Sequence, residues 1–138
     1  TLSGLVLGKK LAAVKGEVFG VNVCNTAEFF KQKCLDLTRK ACKSYRLSRI
    51  KINPSDFHIL DGYVGPGYAF PYDENIRIIE EVARTEGVIL DPVYTSKAFW
   101  GLLSEMEKGR LNKRSSVLFI HTGGIFGLLA QRQHFDFL

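Results

Sequence analysis

Three short segments of this sequence place polar side chains beside small residues, a combination that suits anion binding or proton transfer. The first, Thr1-Leu2-Ser3-Gly4, stands where a predicted helix begins. Free backbone N–H groups and the positive end of the helix dipole favour an anion such as phosphate there, and small side chains let it approach the backbone. An ordinary helix cap explains the same residues equally well, so both interpretations stay open.

The second segment is Asp91-Pro92-Val93-Tyr94-Thr95, which leaves a predicted buried strand and enters a predicted helix. Ligands of open α/β sheets bind at the carboxyl ends of strands. We therefore expect Tyr94 and Thr95 to project from the sheet edge. A tyrosine at that place can donate or relay a proton, or it can serve only for packing and hydrogen bonding.

The third segment, His121-Thr122-Gly123-Gly124, follows the last predicted strand and has the same placement. A lone histidine is more often structural than chemical, so Thr122 is the better candidate for contact with a polar ligand. The sequence contains no Ser–His–Asp order, zinc-ligand spacing, Walker loop or GxGxxG fingerprint. We accordingly predict no metal site.

Helical and strand patterns alternate along the chain, which predicts an α/β domain with a mainly parallel sheet. The predicted helices cover residues 3–15, 27–45, 73–87, 95–108 and 125–130. The predicted strands cover residues 18–23, 57–60, 88–90 and 117–120. Two of these, 18–23 and 88–90, are nearly continuous apolar runs, which is typical of strands covered on both faces.

Apolar residues at spacings of three and four define the expected buried face of each helix. On the long second helix they are Ala27, Phe30, Cys34, Leu37, Ala41 and Tyr45. On the next two helices they are Ile76, Ile79 and Ala83, then Ala98, Leu102 and Met106. We expect Cys34 and Cys42 to fill the core rather than to react.

Capping residues mark the expected helix ends. Gly16 and Gly87 are natural C-terminal stops, and Asp73 can cap the helix that follows it. Lys97 is expected on a helix surface. The segment 61–71 holds three glycines, two prolines and three aromatic residues, so we expect an irregular loop that packs against other parts of the protein.

The composition excludes several classes of protein. With 138 residues, 46% of them hydrophobic, the chain is one globular domain or a large piece of one. The net charge of +5 is carried by scattered basic residues without interleaved aromatics, so we expect no nucleic-acid binding. No apolar run reaches the ~18 residues of a membrane span. Three cysteines without a CxxC pair favour a reducing, cytoplasmic location.

Taken in order, the segments resemble the C-terminal part of pyridoxal-phosphate (PLP) enzymes that include D-cysteine desulfhydrase and 1-aminocyclopropane-1-carboxylate (ACC) deaminase. These enzymes share the fold of tryptophan synthase β subunits. Residues 1–5 resemble the end of the family's glycine-rich phosphate loop, and Gly67-Tyr68-Ala69-Phe70-Pro71 resembles its active-site tyrosine loop. Residues 87–95 resemble the family's most recognisable stretch, and residues 121–124 resemble its last motif.

The resemblance implies an incomplete three-layer α/β/α fold, with residues 1–138 as the C-terminal part of the larger PLP-binding domain. It implies that Thr1, Leu2 and Gly4 hold the cofactor phosphate. Tyr68 and Tyr94 would line the substrate side of the ring and take part in substrate binding and proton transfer. The same resemblance places Thr95 and Thr122 near the pyridine ring.

The residue types at 95 and 122 distinguish two branches of the family. ACC deaminases have glutamate and leucine at these positions, whereas desulfhydrases have hydroxyl residues, as this chain does. A carboxylate keeps the ring nitrogen protonated and makes the ring a stronger electron sink. We expect the opening of a cyclopropane to need this stronger sink. Thiolate is a good leaving group, so we expect elimination of D-cysteine to pyruvate, sulfide and ammonia. Ser96 departs from the glycine that the family commonly has, and could alter the local loop conformation.

The Schiff-base lysine of the family lies upstream of the segments matched here. We therefore expect this polypeptide alone to be inactive and to belong to a complete homodimeric enzyme with a small amino-acid substrate. The start at Thr1 rather than Met also indicates an internal starting point. The alternatives are an ACC deaminase and, in another class, a non-catalytic module that binds PLP or an amino acid.

Overall fold

The computed structural model describes residues 1–135, and its contacts divide the chain into two compact units, Thr1–Asp61 and Gly62–Leu138. The α-helices are α1 (Leu2–Leu11), α2 (Ala27–Ser44), α3 (Asp73–Glu86), α4 (Thr95–Glu107) and α5 (Ile125–Ala130). The strands are β1 (Phe19–Val21) and β2 (His58–Leu60), and short 3₁₀ turns span Pro54–Asp56 and Arg132–His134.

In the first unit, β1 and β2 pair in parallel, with Gly20 opposite Ile59. Helices α1 and α2 pack on each other and enclose a small apolar core, which consists of Val6, Leu35, Ile52 and Phe57. Thr26 starts α2, because its side-chain oxygen accepts the Phe29 N–H at 3.2 Å.

Two details of the first unit differ from the sequence prediction. Helix α1 ends at Leu11 instead of residue 15, since Ala13 already adopts a left-handed φ of 51° before Gly16 is reached. Helix α2 buries Leu35 and Thr38, whereas Leu37 is 48% exposed. Tyr45 lies outside the helix and is exposed. Cys34 and Cys42 pack against the core as predicted.

In the second unit, α3 and α4 pack together over a core of Ile78, Ile79, Val82, Leu90 and Phe135. Helix α3 ends as predicted at Gly87, which takes the left-handed conformation at φ 67°. Its N-cap is Tyr72, and Asp73 is the first helical residue, so the predicted capping role of Asp73 is wrong. Helix α5 has the predicted bounds.

The predicted α/β class with parallel strands is confirmed, but the sheet that the described residues form has two strands. Segments 88–90 and 117–120, predicted as strands, are not strands in this part of the chain. A parallel strand requires a hydrogen-bonded neighbour, and neither segment has one among the described residues. Val88, Ile89 and Leu118 are accordingly exposed, with only Leu90 buried.

The buried face of α4 is polar, contrary to the apolar stripe that was predicted. Ala98, Leu102 and Met106 are only partly buried. The residues that α4 buries are Thr95, Ser96, Lys97, Gly101, Ser104 and Glu105. Within residues 1–135, no helix has both the length and the apolar composition needed to cross a membrane.

Candidate functional site

Tyr68 and Tyr94 meet in the second unit. Tyr68 lies in the irregular loop between β2 and α3, and Tyr94 is the N-cap of α4. Their hydroxyl groups hydrogen-bond to each other, with the ring centroids 5.8 Å apart. Both side chains remain about half exposed, at 50% and 43%. Because each phenol can donate and accept, the pair can hold a proton or pass it to a ligand.

Asp91 fixes the backbone that carries Tyr94. Its side chain is 1% exposed, and its carboxylate accepts the N–H groups of Val93, Tyr94 and Thr95, each at 2.8 Å. It also accepts the Thr95 hydroxyl at 2.6 Å. An aspartate just before a helix is a capping signal, so the sequence could have indicated this role. The sequence prediction places Asp91 only at the end of a strand.

Thr95 is buried instead of projecting from a sheet edge, so that part of the prediction is wrong. Its hydroxyl donates to the Asp91 carboxylate and accepts the Asp91 N–H at 2.7 Å. A hydroxyl has one proton and two lone pairs. Thr95 therefore retains one lone pair, and a group that bonds to it must supply the proton.

The segment that carries Thr122 lies directly against Asp91. A Cβ added to Gly124 would stand 2.3 Å from Asp91 Oδ1, so only glycine permits this approach. His121 Nδ1 accepts the Gly123 N–H at 3.2 Å, which leaves the ring proton on Nε2, 3.0 Å from the Ile89 carbonyl oxygen. His121 thus anchors the segment, while Thr122 is exposed.

Lys97 is fully buried, so its predicted position on a helix surface is wrong. Its Nζ donates to the carbonyl oxygens of Val64 at 2.6 Å and Gly67 at 2.9 Å. The same Nζ lies 5.6 Å from the centroid of the Tyr72 ring. The sequence offered no direct signal for this contact, because both acceptors are backbone carbonyls of an irregular loop.

A second connection joins α4 to the loop. The Tyr63 hydroxyl donates to the Glu105 carboxylate, which also binds the Arg110 guanidinium. The hydrogen bond from Arg110 lowers the pKa of Glu105 below its ordinary value, although burial opposes it. The same bond raises the pKa of Arg110. Burial raises the pKa of Tyr72 at the end of the loop.

Ser96 lies in the first turn of α4, within regular helix, and its amide donates to the Asp91 carbonyl oxygen at 3.0 Å. Ser96 therefore has ordinary helical geometry. The side chain is fully buried, and among the described residues its hydroxyl has no hydrogen-bond partner. A glycine at this position would bring no such group into the interior.

In the first unit, Thr1, Leu2 and Gly4 form the start of α1. Thr1 is the N-cap, but its side chain does not cap the helix. The amides of the first helical turn have no acceptor within the helix. The Leu2 side chain packs on Gly20 of β1, and the space around Gly4 is open, since an added Cβ would meet nothing within 4 Å. This helix start fits a phosphate group that approaches the backbone.

Comparison with known proteins identifies relatives along nearly the whole chain. The family described as pyridoxal-phosphate dependent enzyme matches residues 1–123. A Thermotoga maritima protein named putative ACC deaminase is 42% identical over 132 residues, 95% of this chain and 40% of that protein. The D-cysteine desulfhydrase of Salmonella typhi is 35% identical over 97% of this chain and 40% of its own length.

A crystal structure of an ACC deaminase homologue superposes with a TM-score of 0.76 at 36% identity. The superposed region covers 93% of this chain and 37% of the homologue. The chain therefore spans about 40% of the length of the curated relatives it matches. These relatives carry two different activity names.

Proposed function

Because this chain belongs to the family of pyridoxal-phosphate dependent enzymes, we propose that it is the C-terminal part of a lyase that acts on D-cysteine. The reaction takes D-cysteine and water to pyruvate, hydrogen sulfide and ammonia. The α-carbon loses its proton, the electron pair left there forms a double bond to the β-carbon as the C–S bond breaks, and the sulfur leaves with a proton. Water then replaces nitrogen at the former α-carbon, which gives pyruvate and ammonia. The proposal extends to a homodimer of the complete enzyme, with residues 1–138 in its larger domain.

The residue types at 95 and 122 carry the choice of substrate. Both are threonine, and by the resemblance described above they would occupy the positions at which ACC deaminases have glutamate and leucine. The ACC deaminase alternative is favoured by the names of the Thermotoga maritima relative and of the crystallised homologue. The D-cysteine desulfhydrases of Salmonella typhi and Yersinia enterocolitica, each 35% identical, support the proposal.

PLP, when bound, supplies an electron sink for charge that develops on the substrate α-carbon. The N–H groups at the start of α1 would bind its phosphate through the open space at Gly4. The uncharged Thr95 hydroxyl oxygen, held in place by its hydrogen bond to Asp91, would accept a hydrogen bond from the protonated ring nitrogen. A neutral oxygen stabilises a ring N–H less than a glutamate carboxylate does, so the ring would be a weaker electron sink. A weaker sink is sufficient for D-cysteine because its sulfur is a good leaving group.

The tyrosine pair accounts for the proton that must accompany the sulfur. Tyr68 and Tyr94 hold a hydroxyl proton between them and are both open to solvent on one side. Either phenol can therefore donate to a departing sulfur atom. Asp91 holds the Tyr94 backbone in place while this happens, because it accepts the Tyr94 N–H.

A substitution of both threonines tests the proposal. In the complete protein, Thr95→Glu with Thr122→Leu should lower sulfide release from D-cysteine by about tenfold or more, and should raise the yield of 2-oxobutanoate from ACC. Thr85→Glu, an exposed threonine at the end of α3, is the matched control and should leave both rates unchanged. Turnover of ACC alone by the unsubstituted protein would contradict the proposal.

A further inference from the structure

Lys97 connects α4 to the loop that carries Tyr68. Lysine is among the residues least often fully buried in proteins, yet Lys97 is 0% exposed. Its Nζ makes two hydrogen bonds of 2.6 and 2.9 Å, and both acceptors are backbone carbonyl oxygens of this loop, at Val64 and Gly67. The chemistry proposed above makes no use of this amino group.

We propose that Lys97 is a positioning residue that folds the loop of residues 62–72 so that the Tyr68 hydroxyl reaches Tyr94. Its catalytic consequence rests on the proposed function, whereas its effect on the loop stands independently. Gly67, one of the two acceptors, immediately precedes Tyr68. A bond to this carbonyl therefore constrains the backbone from which the tyrosine projects.

The loop needs such an anchor because its own backbone is strained. Ala69, directly after Tyr68, has a φ of 61°, a region that residues other than glycine seldom occupy. Such conformations persist only where the surrounding structure enforces them. The Gly67 carbonyl oxygen accepts the Phe70 N–H at 3.3 Å in addition to the Lys97 bond. The turn that contains Tyr68 is therefore held by one hydrogen bond within the loop and by one from α4.

The anchor and the partner tyrosine belong to the same helix start. Tyr94 is the N-cap of α4 and Lys97 is its third residue, and the Ala98 N–H donates to the Tyr94 carbonyl oxygen at 3.0 Å. One rigid turn therefore sets the position of Tyr94 directly and that of Tyr68 through Nζ. A displacement of the loop alone would separate the two hydroxyls while leaving α4 intact.

Hydrogen exchange in the complete protein tests the effect on the loop. Lys97→Met keeps the aliphatic stem and removes the donor. We expect amides of residues 62–72 to exchange about tenfold faster, with residues 98–107 of α4 unchanged. Lys113→Met, which removes an exposed lysine, should match the unsubstituted protein. Unchanged exchange in the loop, or faster exchange spread equally over α3 and α4, would overturn the proposal.

If Lys97→Met does not fold, the unsubstituted protein decides the question. Scalar couplings across the hydrogen bonds, from Lys97 Nζ to the carbonyl carbons of Val64 and Gly67, should be detectable by NMR, and their absence would overturn the proposal. In folded Lys97→Met, kcat for D-cysteine should fall by about 100-fold with a smaller change in KM. If the unsubstituted protein does not turn over D-cysteine, the proposed function fails, while the exchange result still judges the role of Lys97.

Discussion

A methyl group added at Gly124 should break the contact between the last motif and Asp91, whose carboxylate binds the backbone N–H groups at the start of α4. The added Cβ would stand 2.3 Å from Asp91 Oδ1, 2.4 Å from Cγ and 2.9 Å from Cβ. Ordinary contact distances are about 3.5 Å, so one of the two segments must move. The Asp91 carboxylate is not free to swing away, because it holds three backbone N–H groups and the Thr95 hydroxyl.

The size of the effect follows from those hydrogen bonds. A hydrogen bond to a charged group contributes about 1.5–3 kcal/mol, and a displaced Asp91 carboxylate would lose one or two of the four such bonds that it accepts. Displacement of the Asp91 carboxylate should therefore lower the free energy of unfolding by about 3 kcal/mol. Gly124 also has a φ of 115°, which strains any residue with a Cβ and adds about 1–2 kcal/mol.

Gly123→Ala separates the steric clash from the backbone strain. Gly123 has a similar φ of 106°, but a Cβ there would meet nothing within 4 Å. Denaturant unfolding of the complete protein should therefore show Gly124→Ala about 3 kcal/mol less stable than Gly123→Ala. In an Asp91→Gly background the difference should largely disappear, since both the carboxylate and the Asp91 Cβ that the added methyl group meets are gone. Equal losses in the native background would refute the assignment of Gly124 to this contact.

Two further predictions concern polar groups of α4. Burial of Glu105 opposes ionisation, yet the Arg110 bond lowers its pKa below the ordinary 4.5, so the ionised form stabilises the fold above that pH. This stabilisation is lost as the pH falls through the lowered pKa that Glu105 has in the folded protein. Below about pH 5 the melting temperature of the unsubstituted protein should therefore fall more steeply with pH than that of Glu105→Gln. Glu107→Gln, at an exposed glutamate, is the control. Ser96→Ala should raise the free energy of unfolding by about 1 kcal/mol, because a buried hydroxyl without a partner is removed. A decrease would show that Ser96 Oγ has a partner that the described residues do not supply.

The sequence predicts the helices of this protein better than its strands. Local signals set the helix ends: Gly87 takes the left-handed conformation that stops α3, and α5 spans the predicted residues. A strand depends on a neighbour that no local pattern reveals. Segment 88–90 has the apolar residues of a buried strand, yet Val88 and Ile89 are exposed in the part of the chain that the structure describes.

Helix faces were harder to predict because apolar periodicity does not report polar burial. In α4 the pattern favours Ala98, Leu102 and Met106, whereas the structure buries Lys97 and Glu105. These charged side chains are buried because the carbonyls and the tyrosine of a distant loop satisfy them. Such partners lie 30 or more residues away in the chain, so spacing along one helix cannot reveal them.

In the candidate site, too, the residues with a recognisable sequence motif were predicted, and a contact that depends on a distant partner was not. The motifs around Tyr68 and Tyr94 were recognised from the sequence, and their hydroxyl groups meet in the structure. The roles assigned to them, and to Thr95 and Thr122, stay predictions. The sequence prediction misses both residues that support the site. Asp91 precedes a helix and could have been found from that signal, whereas the acceptors of Lys97 are backbone carbonyls of a distant loop, which no local pattern reveals.

The most direct test of the central claim is product analysis of the complete, PLP-loaded protein with D-cysteine and, separately, with ACC. We predict that D-cysteine yields pyruvate and hydrogen sulfide in equal amounts and that ACC yields little 2-oxobutanoate. Formation of 2-oxobutanoate from ACC without sulfide from D-cysteine would contradict it, as would binding of both compounds without any product.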